Sequence, residues 1–366
     1  MDKILDLVAE FKAQNLLLPI WFEDGGIKLL DQIKLPFVEE VYHLERVEEL
    51  ADAIKKMTIR GSGAIGISGA WGMYLASLKS KGDLKTVREA GALLKSTRPT
   101  AINLMKTVDE VLTVVEGEGD ALIARVEEKV IEILKSQLAY EHQLGEQGAA
   151  LIKDGDTILT NCHSGAVAGS GYGGRALSVI RKAFEQGKKI QVITSETRPY
   201  LQGARITAYE LKKFGIPYKL ITDNMSGFLM SSGMIQKVVV GSDRVAANGD
   251  LANKIGTYMH ALVAKEHGIP FYTATSSHTI DFKTPSGADI EVEFRNPDEV
   301  THFNGQPIAP EGTEAIYPSF DITPNRFITG IITEKGVITA PYEVNLKVLN
   351  TKRAVEKMSA QLEGLI

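Results

Sequence analysis

The sequence predicts an α/β protein in which a small N-terminal domain, with an antiparallel sheet and several helices, precedes a doubly wound parallel sheet. Two observations support this prediction. From residue 47 to about residue 153 the apolar residues recur with a helical period, whereas after Gly155 short β-branched runs alternate with helical stretches. Such alternation with short connections is typical of a parallel sheet covered by helices. The predicted domains are residues 1–138 and residues 139–366.

The N-terminal half is predicted to begin with a β-hairpin and to continue in helices. Apolar and polar residues alternate on both sides of the turn residues Asp24, Gly25 and Gly26, which is typical of a hairpin. The helical stretches are VEELADAIKKM, LKTVREAGALLKS, TAINLMKTVDEVL and a long segment that begins at Asp120. Residues 61–78 carry no charge, but their many glycines leave too few large apolar side chains for a membrane span. We therefore expect a buried helix there.

The second half is predicted to form a Rossmann-like, doubly wound parallel sheet. The apolar runs that predict its strands are DTILT, IQVIT, YKLIT, KVVVG and PFYTAT. In such sheets ligands bind beyond the carboxyl ends of the strands. The polar residues just past these ends are Cys162 and His163, Glu196 and Arg198, Asp223 and Asn224, Asp243, and Ser276 and His278. We therefore expect the chemistry at this edge of the sheet.

The composition argues against several classes of function. The chain has 44% hydrophobic and 24% charged residues, ordinary values for a globular protein, and its net charge of -5 gives no support for a nucleic-acid or anionic-membrane partner. A single cysteine cannot form an internal disulfide, which fits a reducing compartment such as the cytoplasm. The N-terminus carries Asp2, Asp6 and Glu10, unlike a secretory signal. One cysteine and scattered histidines match no metal-ligand spacing, so we expect no metal.

The stretch GSGYGG, residues 169–174, fits the glycine pattern of a dinucleotide-binding turn, and Glu196 lies at a suitable distance after it. In that turn, however, the first glycine follows the strand directly. Here residues 161–168 separate the predicted strand from the motif. Because such short motifs often match by chance, we expect no nicotinamide cofactor.

Two arginines lie where a phosphate could bind. Arg60 precedes the small residues that open the uncharged helix, and free backbone N–H groups with a guanidinium would suit a phosphate. Arg98 precedes Pro99, which suits a first helical turn and would put a second arginine at a helix N-terminus. The alternative is a glycine-rich helix start packed against a neighbour, with Arg60 exposed. By contrast, Arg198 and Arg205 in ETRPYLQGAR are interpreted as surface arginines of a capped helix start.

Asp243 is a candidate proton donor. It follows the apolar strand KVVV, and apolar surroundings raise the pKa of an aspartate by desolvation. Neighbouring Arg244 could cancel this effect, and the plain alternative is a loop aspartate that caps a turn. Asn253 and Lys254 are expected to begin the next helix.

Cys162 has two interpretations. A free cysteine is often only a small buried hydrophobic residue. Against this, Cys162 lies at a strand end facing a glycine loop, where helix dipoles can stabilise a thiolate. His163 could be its proton partner, although adjacent residues on an extended chain point in opposite directions.

Seven stretches together resemble the S-methyl-5-thioribose-1-phosphate isomerases of methionine salvage, in the same order along the chain. The stretches are IRGSGAIGISGAWG, TRPTAINL, TNCHSGAVAGSGYGGRALSVIR, ETRPYLQGARITAYEL, DNMSGFLM, GSDRVAANGDLANKIGT and HGIPFYTATSSHTID. The resemblance covers Thr58 to Gly336. The same superfamily contains ribose-1,5-bisphosphate isomerase, 5-deoxyribose-1-phosphate isomerase and the regulatory subunits of the eukaryotic initiation-factor-2 guanine-nucleotide exchange factor.

The resemblance implies an aldose–ketose isomerase that is a homodimer. An isomerase of this kind needs no cofactor, and the single cysteine fits a cytoplasmic location. The resemblance places Cys162 and Asp243 at the two catalytic positions. Our hypothesis is that Asp243, protonated in a dry pocket, donates to the ring oxygen and that Cys162 is the acid–base partner. The residues implied to bind the sugar phosphate are Arg60, Gly61, Ser62, Arg98, Gln202, Asn253 and Lys254. The non-catalytic regulatory subunits remain a second possibility, against which the retention of Cys162 and Asp243 argues.

Two departures from the family pattern leave the sugar open. The family usually reads R-G-A-P where this chain has Arg60-Gly61-Ser62-Gly63, and H-C-N-A-G where this chain has Asn161-Cys162-His163-Ser164. The candidate walls for the apolar thioether are Trp71, Tyr74, Phe228 and Met230, although core packing is the default role of such residues. An apolar pocket would separate methylthioribose 1-phosphate weakly from 5-deoxyribose 1-phosphate and strongly from ribose 1,5-bisphosphate.

Overall fold

The computed structural model describes residues 2–99 and 101–351, which divide into two compact units. The first unit is the chain up to His142 together with Ser164–Ser178, and the second is Gln143–His163 together with the chain from Val179 onward. The short segment Ser164–Ser178 thus packs with the first unit although it follows the first strand of the parallel sheet. The domain boundary that the sequence suggests near residue 138 stays a prediction.

The chain up to residue 149 forms a small antiparallel sheet and six helices among its described residues. The elements are α1 (Asp2–Ala13), β1 (Ile20–Glu23), β2 (Gly26–Leu30), β3 (Val41–Leu44), α2 (Val47–Lys55), α3 (Ser62–Lys79), α4 (Leu84–Thr97), α5 (Ile102–Leu112) and α6 (Gly119–Ala149). The strands pair in the order β1-β2-β3, both pairs antiparallel. The predicted hairpin is confirmed: Asp24 and Gly25 have φ of 53° and 73°, as a tight two-residue turn requires.

Helix α3 is the buried helix that residues 61–78 predict. Its glycines let neighbouring helices approach: a Cβ added at Gly69 would lie 3.0 Å from side-chain carbons of both Leu104 and Val108 on α5. Trp71 and Tyr74 are 2% and 0% exposed, in the core of the first unit. Among the described residues, no helix has both the length and the apolar character that crossing a membrane requires.

The chain from residue 150 to residue 351 alternates strands and helices. The elements are β4 (Thr157–Thr160), α7 (Ala176–Glu185), β5 (Gln191–Ser195), α8 (Ala208–Lys213), β6 (Tyr218–Ile221), α9 (Ser226–Ser231), β7 (Lys237–Val240), β8 (Arg244–Ala246), β9 (Leu251–Lys254), α10 (Thr257–Glu266), β10 (Phe271–Ala274), β11 (Ile280–Asp281), α11 (Asp298–Thr301), β12 (His302–Phe303), β13 (Gln306–Pro307), β14 (Phe320–Thr323), β15 (Gly330–Thr333) and β16 (Gly336–Ile338). All five predicted strands are present, which confirms a mixed α/β protein.

The main sheet of the second unit has the order β16-β15-β10-β7-β4-β5-β6, and every neighbouring pair except β15–β16 is parallel. Strands β5 and β6 follow β4 on one side, whereas β7 and β10 lie on its other side. The strand order therefore reverses between β4 and β7. In open α/β sheets, this reversal is where ligands bind.

A second, four-stranded sheet has the order β11-β8-β9-β14. It corrects the prediction that Asn253 and Lys254 begin a helix, because both residues lie on β9, and α10 begins only at Thr257. The chain leaves β9 through Gly256, whose left-handed φ of 98° no helix interior allows. Strand β14 pairs with β9 from a distant part of the sequence, so local periodicity could not reveal it.

Candidate active site

Cys162 and Asp243 follow the two neighbouring strands at which the strand order reverses. Strands β4 and β7 pair in parallel through Ile158 with Lys237 and Leu159 with Val238. Their carboxyl ends therefore lie at the same edge of the sheet. The predicted convergence of these two residues on one edge thus agrees with the observed topology.

Three atoms of Cys162 are held by one segment of the second unit. Its backbone N–H donates to Oγ1 of Thr197 over 2.8 Å, and its carbonyl accepts from Oγ1 of Thr207 over 2.8 Å. The side-chain amide of Gln202 donates to its sulfur over 3.2 Å. Cys162 itself has a left-handed φ of 67°, which is uncommon for a residue other than glycine. It is therefore not simply a small hydrophobic residue filling the core.

Two charged neighbours shift the pKa of the Cys162 thiol in opposite directions. Burial raises the pKa of the Cys162 thiol, the ammonium of Lys254 lowers this pKa, and the carboxylate of Asp243 raises it. The hydrogen bond from Gln202 also lowers the pKa. Both charged groups thus lie close enough to Cys162 to influence its protonation.

Asp243 itself has an exposed side chain, so the dry surroundings expected from the sequence are not observed. Its backbone N–H donates to the carbonyl of Ala252 over 3.0 Å, which ties the start of β8 to β9. Arg244, which could have neutralised it, lies 3.8 Å from a carboxylate oxygen of Asp281. The apolar run before Asp243 is buried, and the burial continues through Gly241 and Ser242 but ends at Asp243.

The stretch ETRPYLQGAR is not a surface helix cap. Thr197 and Leu201 have left-handed φ of 61° and 60°, and a π-helical turn follows at Gly203–Thr207. The carboxylate of Asp223 accepts from the N–H groups of Thr197 and Arg198 over 2.8 Å and 2.7 Å. Strained conformations of this kind cost about 1–3 kcal/mol each and concentrate at functional sites. The strain explains why simple helix-capping patterns mislead here.

The arginines of this stretch are half-buried and engaged. The guanidinium of Arg198 donates to the carbonyls of Pro199 and Val300 over 2.9 Å and 2.7 Å. The guanidinium of Arg205 lies 4.5 Å from the ring centre of Tyr200. The interpretation as surface arginines was therefore wrong.

His163 does not pair with the neighbouring thiol. Its Nε2 lies 2.7 Å from Oε1 of Glu210 on α8, and the two side chains are 5% and 0% exposed. The thiol of Cys162 and the ring of His163 thus contact different partners. The exchange at position 163 relative to the family pattern therefore places a buried histidine–carboxylate pair beside the cysteine.

Asn253 and Lys254 are buried on β9. The amide of Asn253 donates to Oγ1 of Thr257 over 2.9 Å. The ammonium of Lys254 donates to the carbonyl of Ser319 over 2.8 Å and lies 4.6 Å from the ring centre of Phe320. A buried ammonium of this kind suits an anion, because an ammonium has three N–H donors and charge-assisted hydrogen bonds are strong.

In the first unit, Arg60, Gly61 and Ser62 lie at the start of α3, as predicted. Gly61 has φ of 94°, and a Cβ there would lie 2.4 Å from the Cα of Ala168, so only glycine fits. No side chain caps the α3 N-terminus at Gly61. Asn103 on α5 donates to Oγ of Ser62 over 2.7 Å. The start of α3 therefore offers backbone N–H groups and a guanidinium to an anion.

Arg98 has a different setting from the one its neighbour Pro99 suggests. It is the C-cap of α4, with φ of -145° and ψ of 87°, and α5 begins only at Ile102. The residue before a proline avoids the helical conformation, so Pro99 ends α4 rather than starting α5. The prediction that Arg98 lies at a helix N-terminus was therefore wrong.

The glycine loop 169–174 does hold an acidic group, but that group is part of the protein. The buried carboxylate of Glu141 accepts from four backbone N–H groups; their residues and distances are Ser170 (2.6 Å), Tyr172 (3.3 Å), Gly173 (3.2 Å) and Gly174 (3.0 Å). The pattern resembles a phosphate-binding loop because glycine N–H groups cradle negative charge in both cases. The loop is therefore occupied by Glu141.

The candidate walls for the thioether do not have the setting that a pocket needs. Trp71, Tyr74 and Met230 are core residues, 2%, 0% and 2% exposed, whereas Phe228 is 70% exposed on α9. The first three therefore have the core-packing role that is their default, and the candidate walls stay a prediction. Within residues 2–99 and 101–351, no group of three or more histidine, cysteine or acidic side chains could hold a metal ion.

Comparison with known proteins agrees with the resemblance. A model of the initiation factor 2 subunit family matches residues 58–340. The methylthioribose-1-phosphate isomerase of Thermosipho africanus is 49% identical over 336 residues, which cover 90% of this chain and 96% of that protein. That of Thermotoga maritima is 50% identical and covers 88% of this chain and 95% of its own length.

Solved structures show the same likeness. The 5-methylthioribose 1-phosphate isomerase of Pyrococcus horikoshii OT3 has a TM-score of 0.88 and 36% identity, covering 93% of this chain and 98% of that one. A protein from A. fulgidus, described as subunit delta of the translation initiation factor eIF-2B, has a TM-score of 0.86 and 41% identity, covering 91% and 99%. The chain therefore belongs to the methylthioribose-1-phosphate isomerase family within the initiation factor 2 subunit family.

Proposed function

We propose that the chain is an aldose–ketose isomerase that converts S-methyl-5-thioribose 1-phosphate into S-methyl-5-thioribulose 1-phosphate in methionine salvage. Two relatives with this substrate in their names are 49% and 50% identical to the chain. We further propose that the enzyme is a cytoplasmic homodimer that needs no cofactor.

The reaction is difficult because the phosphate blocks the anomeric oxygen, so the furanose cannot open as a free sugar does. In the conversion the bond between C1 and the ring oxygen breaks, and that oxygen gains a proton. One hydrogen moves from C2 to C1, and the C2 hydroxyl loses its proton to become a carbonyl. The oxidation of C2 balances the reduction of C1. The protein therefore needs to supply only an acid, a base and positioning groups.

Cys162 and Asp243 are the proposed acid and base. Because burial raises the pKa of the Cys162 thiol, the thiol is protonated at neutral pH and can donate to the ring oxygen. The exposed carboxylate of Asp243 can accept the hydrogen of C2 as a proton. This assignment reverses the one suggested by the sequence, which made Asp243 the donor in a dry pocket.

The remaining site residues are proposed to bind and orient the sugar phosphate. By the family resemblance, Arg60, Gly61, Ser62 and Arg98 would supply two guanidinium groups and helix N–H groups to the phosphate. In the second unit, Lys254 supplies a buried ammonium, and Gln202 and Asn253 supply amides. These contacts belong to the proposal, since they rest on the family resemblance.

One observation carries the proposal. A thiol and a carboxylate follow the carboxyl ends of neighbouring strands β4 and β7, where the strand order reverses, and a buried ammonium is close enough to shift the protonation of the thiol. A regulatory subunit without catalysis would have no need for this combination. The combination supports proton transfer on an anionic ligand.

The test is to compare the catalytic efficiencies of one enzyme preparation on three sugars in the presence of a chelator. We expect the highest efficiency on methylthioribose 1-phosphate, a lower one on 5-deoxyribose 1-phosphate and the lowest on ribose 1,5-bisphosphate. A preference for 5-deoxyribose 1-phosphate would leave the proposed mechanism intact but would show that the enzyme acts in a pathway other than methionine salvage. A preference for the bisphosphate would contradict the proposed substrate.

A second measurement separates two routes for the hydrogen. If Asp243 removes a proton from C2, the reaction in deuterated water places solvent deuterium at C1 of the product. If a hydride moves directly from C2 to C1, the product carries no solvent deuterium there. Substantial deuterium at C1, detected by NMR, is the expected result.

A second candidate function is a regulatory subunit of an initiation-factor-2 exchange factor. The observation that favours it is the 41% identity to the A. fulgidus protein described as subunit delta of eIF-2B. Turnover of a sugar phosphate distinguishes the isomerase from the regulatory subunit. Failure on all three sugars, with a stable complex formed with purified initiation factor 2, would support the second function.

A further inference from the structure

Two threonine hydroxyls hold the Cys162 peptide, one on each side. Oγ1 of Thr197 accepts from the N–H of Cys162 over 2.8 Å, and Oγ1 of Thr207 donates to its carbonyl over 2.8 Å. Both threonines are 1% exposed. An unpaired backbone group is costly in such buried surroundings, so both bonds constrain the peptide strongly.

The conformation that these bonds hold is a rare one. Cys162 and Thr197 have left-handed φ of 67° and 61°, and for a β-branched residue such as Thr197 this is a genuine outlier. Such conformations persist only where the surroundings determine them. Here the N–H of Thr197 donates to Oδ1 of Asp223, and its hydroxyl also bonds to Oδ1 of Asn161, each over 2.8 Å.

The same segment also contacts the side chains of Cys162 and of the next residue. Gln202, between the two threonines, donates to the sulfur of Cys162 over 3.2 Å. Glu210, one helical turn after Thr207, lies 2.7 Å from Nε2 of His163. The segment from Thr197 to Glu210 therefore sets the backbone and thiol of Cys162 and the ring of His163 together.

We propose that Thr197 and Thr207 are positioning residues for the isomerisation. By holding the Cys162 peptide in its left-handed conformation they aim the thiol toward Gln202 and place it beside the charges of Asp243 and Lys254. The kinetic part of this inference rests on the proposed function. The positioning of the thiol does not, and it can be measured separately.

The test compares Thr197→Val with Thr333→Val. Valine keeps the shape of threonine and removes the hydroxyl. Thr333 on β15 is a matched control, since it is buried, accepts from the N–H of Lys335 over 3.2 Å and donates to the carbonyl of Gly336 over 2.9 Å. Thr197→Ser restores the hydroxyl, and Thr207→Val repeats the test on the other side of the peptide.

We expect Thr197→Val to lower kcat on methylthioribose 1-phosphate by at least about tenfold while KM stays within about threefold. The reason is that the substitution displaces the thiol but leaves the residues that bind the phosphate in place. Thr197→Ser should recover most of kcat. Thr207→Val should lower kcat as Thr197→Val does, with little change in KM. If Thr197→Val does not fold, the kcat of Thr207→Val tests the proposal instead. A kcat within about twofold of wild type for a folded Thr197→Val, or an equal loss in Thr333→Val, would overturn the proposal.

The second readout is alkylation by iodoacetamide, which reports on Cys162 alone because the chain has one cysteine. Releasing the peptide changes both the burial of the thiol and its hydrogen bond from Gln202, so the alkylation rate at pH 8 should differ from that of wild type by at least about threefold. Thr333→Val should alkylate at the wild-type rate. If no enzyme form turns over the sugar, the proposed function fails, while this contrast still supports or overturns the positioning of the thiol.

Discussion

The side-chain amide of Gln202 donates a hydrogen bond to the sulfur of Cys162, with 3.2 Å between Nε2 and Sγ. The bond favours the charged form of the sulfur and so opposes the effect of burial on the thiol pKa. Gln202 is 8% exposed, so no water readily replaces its amide. The protonation of Cys162 therefore depends on burial, on the opposing charges of Lys254 and Asp243, and on the amide of Gln202.

Replacing Gln202 by leucine should shift that balance. Leucine removes the hydrogen bond and adds apolar surface, and both changes raise the thiol pKa. A hydrogen bond to a charged group contributes about 1.5–3 kcal/mol, so alkylation of Cys162 at pH 8 should slow by roughly tenfold. The control is Gln191→Leu at the start of β5. Equal alkylation rates for wild type and Gln202→Leu would contradict the claim that the Gln202 amide lowers the pKa of the thiol.

Asp321 should make stability depend on pH. Its carboxylate on β14 accepts from the N–H groups of Gly256 and Tyr258 over 2.7 Å and 3.1 Å, at the start of α10. Burial nevertheless raises its pKa from 3.8 to about 6, with Lys254 and these N–H groups opposing the rise. The folded chain therefore holds a proton on Asp321 where the unfolded chain has lost it, and this contribution to stability disappears as the pH rises to about 6.

The measurement is the free energy of unfolding of wild type and Asp321→Asn between pH 4.5 and 7.5. Asparagine does not titrate, so the stability of wild type relative to the variant should fall with rising pH, by at most about 3 kcal/mol. A difference that stays constant across this range would show that Asp321 titrates normally in the folded chain.

Glu141 should be essential for stability. Its carboxylate pairs four buried backbone N–H groups of the glycine loop. Glu141→Ala would leave them without an acceptor, which should cost about 3–5 kcal/mol of unfolding free energy. Glu146→Ala on the same helix removes an exposed ion pair with Lys182 and should cost less than about 1 kcal/mol. Urea denaturation of the two variants checks this, and similar losses would refute the role of Glu141.

The homodimer proposal predicts an interface on the second unit. Helices α9 and α10 present apolar side chains to solvent; Met225 just before α9, Phe228, Met259 and Leu262 are 50%, 70%, 39% and 44% exposed. A second copy of the chain is the proposed occupant, in line with the family resemblance. Sedimentation should show a dimer for wild type and a monomer for Phe228→Glu. Dimers for both would place the interface elsewhere, and a wild-type monomer would refute the dimer.

Sequence patterns predict the parts of this fold whose signals are local. The hairpin is predicted by a turn pair that adopts positive φ, and the parallel strands are predicted by runs such as KVVV bounded by turns. The small sheet that carries Asn253 and Lys254 could not be predicted in this way, because β14 reaches β9 from far along the chain. Pairing between strands that lie far apart in the chain produces no local periodicity in the sequence.

The candidate site shows the same division. Cys162 and Asp243 stand out because polar residues follow apolar strands. Thr197, Thr207 and Glu210 give no signal, since their partners lie 35 to 47 residues away and their conformations are irregular. The exposure of Asp243 also depends on how the chain continues into β8 and β9, which the apolar strand before it does not determine.

The most direct measurement of the central claim is turnover of methylthioribose 1-phosphate by wild type, Cys162→Ala and Asp243→Asn, monitored by NMR of the sugar phosphate. If these two side chains are the acid and the base, each variant should fold as wild type does and lose at least about a hundredfold in kcat. Thr333→Val serves as the folded control. Near-normal turnover by either folded variant would contradict the account for that residue, and absence of turnover by wild type would contradict it as a whole.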